Sequence, residues 1–409
     1  MECKKRKPIP STGEQLPQQP PSKKPATAAT TPNPPLRVAF IGNSLTYYND
    51  LPHVVQSFLQ HHRRFSNSGS AVSGDVVVGA VLRGGQSLPS LLKRGADTSE
   101  SPGRAGACIG NRDMFDTVPA LLAAPEGWDY IVFQDHTQAP ARPDTQPLHV
   151  SSCTPNEVSR GRSLACLTEH YAPLLLAAGR SSGNSDQNCR AENCPSKPPV
   201  MVCYETYGYR RPAKDSHEIS SDFTAMNDRL AEGYALYAQA LRSAGLRTLS
   251  VHVGAAFAQL RSKSVELWEH LYQDDNFHPT ASGTFLIAAH LTQAIADDLH
   301  TRQQGREREQ HEKSEQTKEP ARAKGGRWLF PAVPPAMRPS VTGAATATNA
   351  GGDDSSVAAD EGDEEPPDFQ LELPSEWPSA AVCYRGQAVP SDAELEAVLL
   401  CAGPTAVAK

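Results

Sequence analysis

RVAFIGNSLTYYNDLP, residues 37–52, is the stretch from which the rest of the chain is read. Residues 37–41 are a short apolar run closed by Gly42, the pattern of a buried strand. Leu51, Val54, Val55, Phe58 and Leu59 then recur at helical spacing, with Pro52 in a first-turn position. Between strand and helix stands Gly42-Asn43-Ser44-Leu45. A serine at such a junction lies at the carboxyl edge of a sheet, near the positive end of a helix dipole. Backbone N–H groups surround it there and are able to stabilise a developing oxyanion. A Ser/Asn turn that merely caps the helix has the same local sequence.

The alternation continues outward. Further strands are expected at 75–81, at 129–133 behind Trp128, at 200–203 and at 248–251. Phe223, Met226, Leu230, Tyr234, Tyr237 and Leu241 form a helical stripe that stops near Gly245, and a last helix covers 284–295. Strands alternating with helices imply a parallel sheet covered on both faces, with its site at the carboxyl ends of the strands. Three polar stretches, 93–111, 142–162 and 180–197, read as long surface loops too polar to pack.

Of the 409 residues, 38% are hydrophobic, which fits one compact core with polar segments better than two equal domains. Residues 1–35 are rich in Pro, Lys, Gln, Ser and Thr and are expected to be disordered. Residues 36–300 hold the strand–helix pattern. Residues 301–409 are expected to be mostly disordered: 301–324 extend a helix, a linker-like stretch follows, and a short apolar end docks through a small helix at 392–401.

The net charge of -7 suggests no broad basic face, which argues against a nucleic-acid partner. MECKKRK at the start reads as a solvated basic tail, with a nuclear-import signal as the competing reading. No secretory signal and no run of about 20 apolar residues is visible, so a soluble, cytoplasmic protein is expected. The nine cysteines lack the paired short spacings of a zinc site. Cys189 and Cys194 share a polar insert and would pair only if oxidised; reduced thiols are the simpler expectation.

The second chemical motif is Asp275-Asn276-Phe277-His278-Pro279, just ahead of the last helix. An acid three residues before a histidine in a loop is able to orient the imidazole and stabilise its cation. A nucleophile after the first strand, paired with Asp-x-x-His before the last helix, resembles the layout of the SGNH hydrolases, a branch of the GDSL esterases and lipases. Gly42-Asn43-Ser44-Leu45 is similar to the family's Gly-Asp-Ser-Leu, with Asn43 replacing the usual aspartate. The stretch from Phe40 to Pro52 looks like the opening of one bacterial-type subgroup. The resemblance covers residues 36–299 and excludes the tails and the three inserts.

The resemblance implies a flavodoxin-like three-layer α/β/α sandwich on a five-stranded parallel sheet. It implies Ser44 as nucleophile, His278 as base and Asp275 as its partner, with Asp274 the competing acid. The family takes one oxyanion donor from a glycine N–H after the second strand, and Gly85 matches best within Gly84-Gly85-Gln86-Ser87-Leu88. It takes another from the asparagine of a Gly-x-Asn-Asp block after the third strand. The chain departs there, reading Gln134-Asp135-His136-Thr137-Gln138. Gln138 occupies the asparagine position and Gln134 is the competing donor. Asp135 and His136 invite a metal reading, but no companion His or Cys stands at ligand spacing.

The chemistry implied is acyl transfer from a small carboxylic ester through an acyl-enzyme on Ser44, with the oxyanion held by the Ser44 N–H, Gly85 and Gln138. No metal or organic cofactor is called for. Polar loops near the strand ends favour a polar substrate such as an acetylated carbohydrate. Two other readings stay open: an inactive or weak binding protein of the same fold, and an acyltransferase. A nucleotide binder is disfavoured because no phosphate-cradling glycine loop follows the first strand. The oligomeric state is left open.

Overall fold

The computed structural model describes residues 35–65, 75–96, 113–153, 156–178, 197–211, 219, 222–316 and 397. Its elements in chain order begin with β1 (Leu36–Gly42), α1 (Ser44–Tyr47), a 3-10 turn (Tyr48–Asp50), α2 (Leu51–Phe65), β2 (Val76–Leu82) and α3 (Leu88–Arg94). β3 (Asp113–Met114), α4 (Val118–Leu122), β4 (Tyr130–Phe133), β5 (Leu148–His149) and β6 (Glu157–Val158) follow. α5 (Arg160–Cys166) passes through a π turn (Leu167–Tyr171) into α6 (Ala172–Ala178). The remainder is β7 (Val200–Glu205), α7 (Phe223–Ser243), β8 (Thr248–His252), α8 (Val253–Lys263), α9 (Val265–His270) and α10 (Ala281–Gln316).

The five expected strands form one parallel sheet, with β1 at its centre between β2 and β4. A sixth strand, β3, adds two residues at the edge beside β2, in the full order β3-β2-β1-β4-β7-β8. Two residues are too few to carry a pattern in sequence, so β3 was not foreseen.

Period-two alternation divides the strand side chains between two cores. Val38, Phe40, Val78, Ala80, Tyr130, Val132, Val202 and Tyr204 face α2, α8 and α10. Ala39, Ile41, Val81, Ile131, Phe133, Met201 and Cys203 face the layer of α3, α4, α6 and α7. The result is the expected three-layer α/β/α sandwich. On the first face Phe58 of α2 meets Phe285 of α10 edge-on at 5.1 Å. On the second, the α7 stripe supplies Tyr234, Tyr237, Ala238 and Leu241.

α7 stops where expected. Gly245 has φ +88°, and the bonds Gly245 N–H to Arg242 O and Leu246 N–H to Leu241 O close a Schellman turn. α10 runs well past the expected end at 295, to Gln316, and so includes much of the polar helical extension read at 301–324. The docking helix read at 392–401, the Cys189–Cys194 question, residues 1–34 and most of the first and third inserts lie outside the described residues. Cys153, Cys166 and Cys203 are buried free thiols.

The second insert departs from its expectation in part. Many of its described residues are exposed, as in a surface loop, but others are packed. β5 and β6 form an antiparallel pair there, and Cys153, Val158, Ser159 and Arg142 are buried. Their polar atoms are matched internally: Ser159 Oγ donates to Asp144 Oδ1 at 2.6 Å, and Arg142 donates to Gln138. Polarity excludes a side chain from the interior only while its hydrogen bonds go unmet.

Candidate active site

Ser44 is the first residue of α1, directly beyond the end of β1, and is 9% exposed. α1 has only four residues, and Asn49, with φ +50°, breaks the path into α2. The dipole expected behind Ser44 is therefore that of a single turn, and local N–H groups are the larger resource.

Asn43 organises the turn. Its Oδ1 accepts from Leu45 N–H at 3.2 Å, while Nδ2 donates to Gln86 O and Asp135 O, both at 3.0 Å. One side chain thus ties the ends of β1, β2 and β4 together. A carboxylate has no N–H to donate, which gives this chain a physical reason for asparagine where the family has aspartate. Gly42 is required as well, since a Cβ there would collide with Thr46 Oγ1.

Gln134 is bonded into the same turn. Its Oε1 accepts from Asn43 N–H at 3.0 Å and Thr46 Oγ1 at 3.1 Å, and its Nε2 donates to Asp135 O. Gln138 is placed differently. Its Oε1 faces Arg142, and its Nε2 contacts Tyr209 Oη at 3.3 Å. Gly85 has φ +65°, a conformation that favours glycine, and its carbonyl accepts from Cys153 Sγ at 3.2 Å.

Asp275 and His278 meet. Asp275 Oδ2 lies 2.6 Å from His278 Nδ1, while Oδ1 accepts from the N–H groups of Phe277 and His278 at 3.2 and 3.0 Å. Burial alone would raise the Asp275 carboxyl; bonds from the His278 ring and backbone outweigh it and hold the carboxyl below its usual range. With Nδ1 engaged by the carboxylate, the neutral ring keeps its lone pair on Nε2. That atom is buried with no hydrogen-bond partner among the described residues. Asp274 contributes only its backbone carbonyl, to Asn276 Nδ2 at 3.3 Å.

The loop is fixed from both sides. Asn276 takes φ +70°, and Arg210 holds it through Nε to Asn276 Oδ1 at 2.9 Å, with further bonds to Glu269 O and Gln273 O. Toward Ser44, the His278 ring stacks on Tyr48 at 3.9 Å and 8°, and Asn49 Nδ2 bonds Pro279 O at 3.1 Å and Thr284 Oγ1 at 2.8 Å. The His278 loop therefore lies against the segment that starts at Ser44. No hydrogen bond joins Ser44 Oγ to His278.

Among the described residues, Asp135 and His136 belong to no group of three or more His, Cys, Asp or Glu side chains placed to hold a metal. Asp135 is fully buried and accepts from Leu88 N–H, His136 N–H and Tyr237 Oη, so it clasps β4 to α3 and α7. Burial raises its carboxyl. Burial, reinforced by the Arg142 charge, pushes the His136 imidazole down to about 4. His136 Nδ1 accepts from Gln138 N–H at 3.2 Å.

Sequence reasoning missed Tyr48, Arg142, Tyr209 and Arg210. Tyr48 stood within the quoted motif, but the ring it stacks on is 230 residues away. No local signal marks the other three.

No protein-family model matches the chain, and no curated protein does. Among solved structures, the chain is similar to a protein from Slackia heliotrinireducens provisionally described as an SGNH hydrolase. That pair shares 25% identity over 64% of this chain and 99% of the other, with a TM-score of 0.37. A DUF4886 family protein from Bacteroides uniformis is 16% identical over 63% and 82% of the two chains, at TM-score 0.40. A gut microbial diltiazem-metabolizing enzyme is 13% identical over 64% and 47%, at 0.35.

Proposed function

We propose that the chain is a hydrolase of the SGNH type that cleaves a carboxylic ester through an acyl-enzyme on Ser44. The observation that carries this reading is the Asp275–His278 pair, whose Nε2 is left without a partner while the ring is stacked on Tyr48, four residues after Ser44.

In this mechanism His278 Nε2 takes the Ser44 proton as Oγ attacks the ester carbonyl, and Asp275 stabilises the imidazolium that forms. The tetrahedral oxyanion is met by the N–H groups of Ser44 and Gly85 and by Gln138 Nε2. Collapse expels the alcohol, which receives its proton from His278. Water, deprotonated by the same imidazole, then attacks the acyl-enzyme and releases the acid. A small polar ester, such as an acetylated carbohydrate, is the proposed substrate class. No described helix is long and apolar enough to cross a membrane.

The test is fluorophosphonate labelling of wild type beside Ser44→Ala, with short-chain ester turnover on the same samples. Labelling and turnover should both disappear in the variant, with turnover falling on the order of 10^6-fold. A folded wild type that takes no label would overturn the proposal in favour of a binding protein of this fold. Label with turnover only in the presence of an added alcohol acceptor would make the chain an acyltransferase.

A further inference from the structure

Gln138 has the side chain with the most to decide at this site, because a carboxamide presents an acceptor at one end and two donors at the other. Only the nitrogen end serves an oxyanion. Arg142, 3% exposed, sends two arms to the oxygen end: Nε to Gln138 Oε1 at 3.0 Å and Nη2 to the same atom at 2.8 Å. Its third nitrogen, Nη1, donates to Gln146 O at 3.2 Å and fixes the guanidinium plane. An amide turned the other way would set N–H against N–H. On the far side, Gln138 Nε2 contacts Tyr209 Oη, itself 2.7 Å from Thr137 Oγ1. One N–H of the Gln138 amide is thereby placed, and the same nitrogen carries a second.

The geometry points to Arg142 as a positioning residue that acts through Gln138, locking the amide so that its N–H group is what the oxyanion meets. The inference rests on the proposed role of Ser44 and goes beyond it, since the insert carrying Arg142 is not covered by the resemblance. A guanidinium on the carbonyl also draws electron density from the amide and strengthens its N–H as a donor. The same insert touches the other proposed donor, where Cys153 Sγ donates to the Gly85 carbonyl. Described residues of 142–162 thus contact two of the three proposed donors.

The experiment compares Gln138→Ala, Gln138→Glu, Arg142→Ala, Arg142→Lys and the Gln138→Ala/Arg142→Ala double variant, reading kcat, KM and Tm. Gln138→Ala should lower kcat about 100-fold, with KM changed less than about threefold. Arg142→Ala should lower kcat roughly 10- to 100-fold, and Arg142→Lys should recover part of that. The double variant should be no slower than Gln138→Ala alone. Gln138→Glu is the decisive arm if Arg142→Ala folds poorly. It keeps, and charges, the contact with Arg142 yet offers no donor, so Tm should hold while kcat falls at least as far as in Gln138→Ala.

Additive losses in the double variant, an unchanged kcat in folded Arg142→Ala, or an active Gln138→Glu would each overturn the role of Arg142 while wild-type labelling at Ser44 stands. A wild type that takes no label overturns both readings together.

Discussion

Two histidines in this molecule bond a carboxylate at nearly the same distance, and they are not equivalent. His278 Nδ1 is 2.6 Å from Asp275, and His252 Nδ1 is 2.7 Å from Glu205. The first pair spans three residues of one loop. The second spans 47 and bridges the register partners at the ends of β7 and β8. His278 is stacked on Tyr48, and its Nε2 is buried without a partner. The His252 side chain is 29% exposed and stands at the start of α8, and its hydrogen bond to Glu205 raises its pKa against the effect of burial. A short His–carboxylate contact is therefore common to both and does not by itself single out His278 as the proposed base. What separates the pairs is where the second nitrogen is left and what holds the ring.

The sharpest way to break this contrast is to neutralise each acid. Asp275→Asn keeps acceptors for the loop N–H groups but favours the wrong tautomer of His278, and turnover should fall on the order of 10^4-fold. Glu205→Gln, at a buried carboxylate outside the proposed triad and oxyanion donors, should lower ester turnover far less than Asp275→Asn does. Steady-state kinetics on both variants checks this, and equal losses would erase the distinction.

A smaller effect is expected from the ring support. Tyr48→Ala removes the stacking face of His278 and should lower kcat roughly 10- to 100-fold by letting the base drift, while Tyr48→Phe should stay near wild type. The smallest effect concerns stability. His252 has a raised folded pKa, so its pair with Glu205 contributes fully below the unfolded value near 6.5 and fades as pH rises through the folded value. Glu205→Gln should cost about 1 kcal/mol at pH 5.5 and less at pH 9, measured by denaturant unfolding at both. A cost that grows with pH would reverse the assignment.

The same contrast explains what the sequence could disclose. Asp275 and His278 were legible because three residues separate them and a helix start follows. Ser44 was legible because an apolar run ends one turn before it. The five long strands announced themselves as apolar runs, since both faces of the sheet are covered. Glu205 and His252 left no trace, because only strand pairing makes them neighbours. Arg142 was assigned to a solvated loop on polarity alone, and the acceptor that permits its burial, Gln138, was being weighed for a different task. Gln134, the competing donor, has its oxygen bonded to Asn43 and Thr46 and one amide N–H to Asp135, partners no local pattern announced. In these cases a polar side chain's partner was fixed by tertiary structure.

α10 has a practical consequence for handling the molecule. It begins three residues after His278, at the rim of the proposed site. By Asp298 it has reached the amino ends of the strands, where that carboxylate accepts from Tyr130 Oη, at the start of β4, at 2.7 Å. The eighteen residues from there to Gln316 add about 27 Å of rod at 1.5 Å per residue. A purification handle, a fluorophore or a bead linker attached near residue 316 would therefore sit on a stalk pointing away from the proposed site. Immobilised that way, the protein would leave the Ser44 and His278 side of the sheet facing the bulk solution.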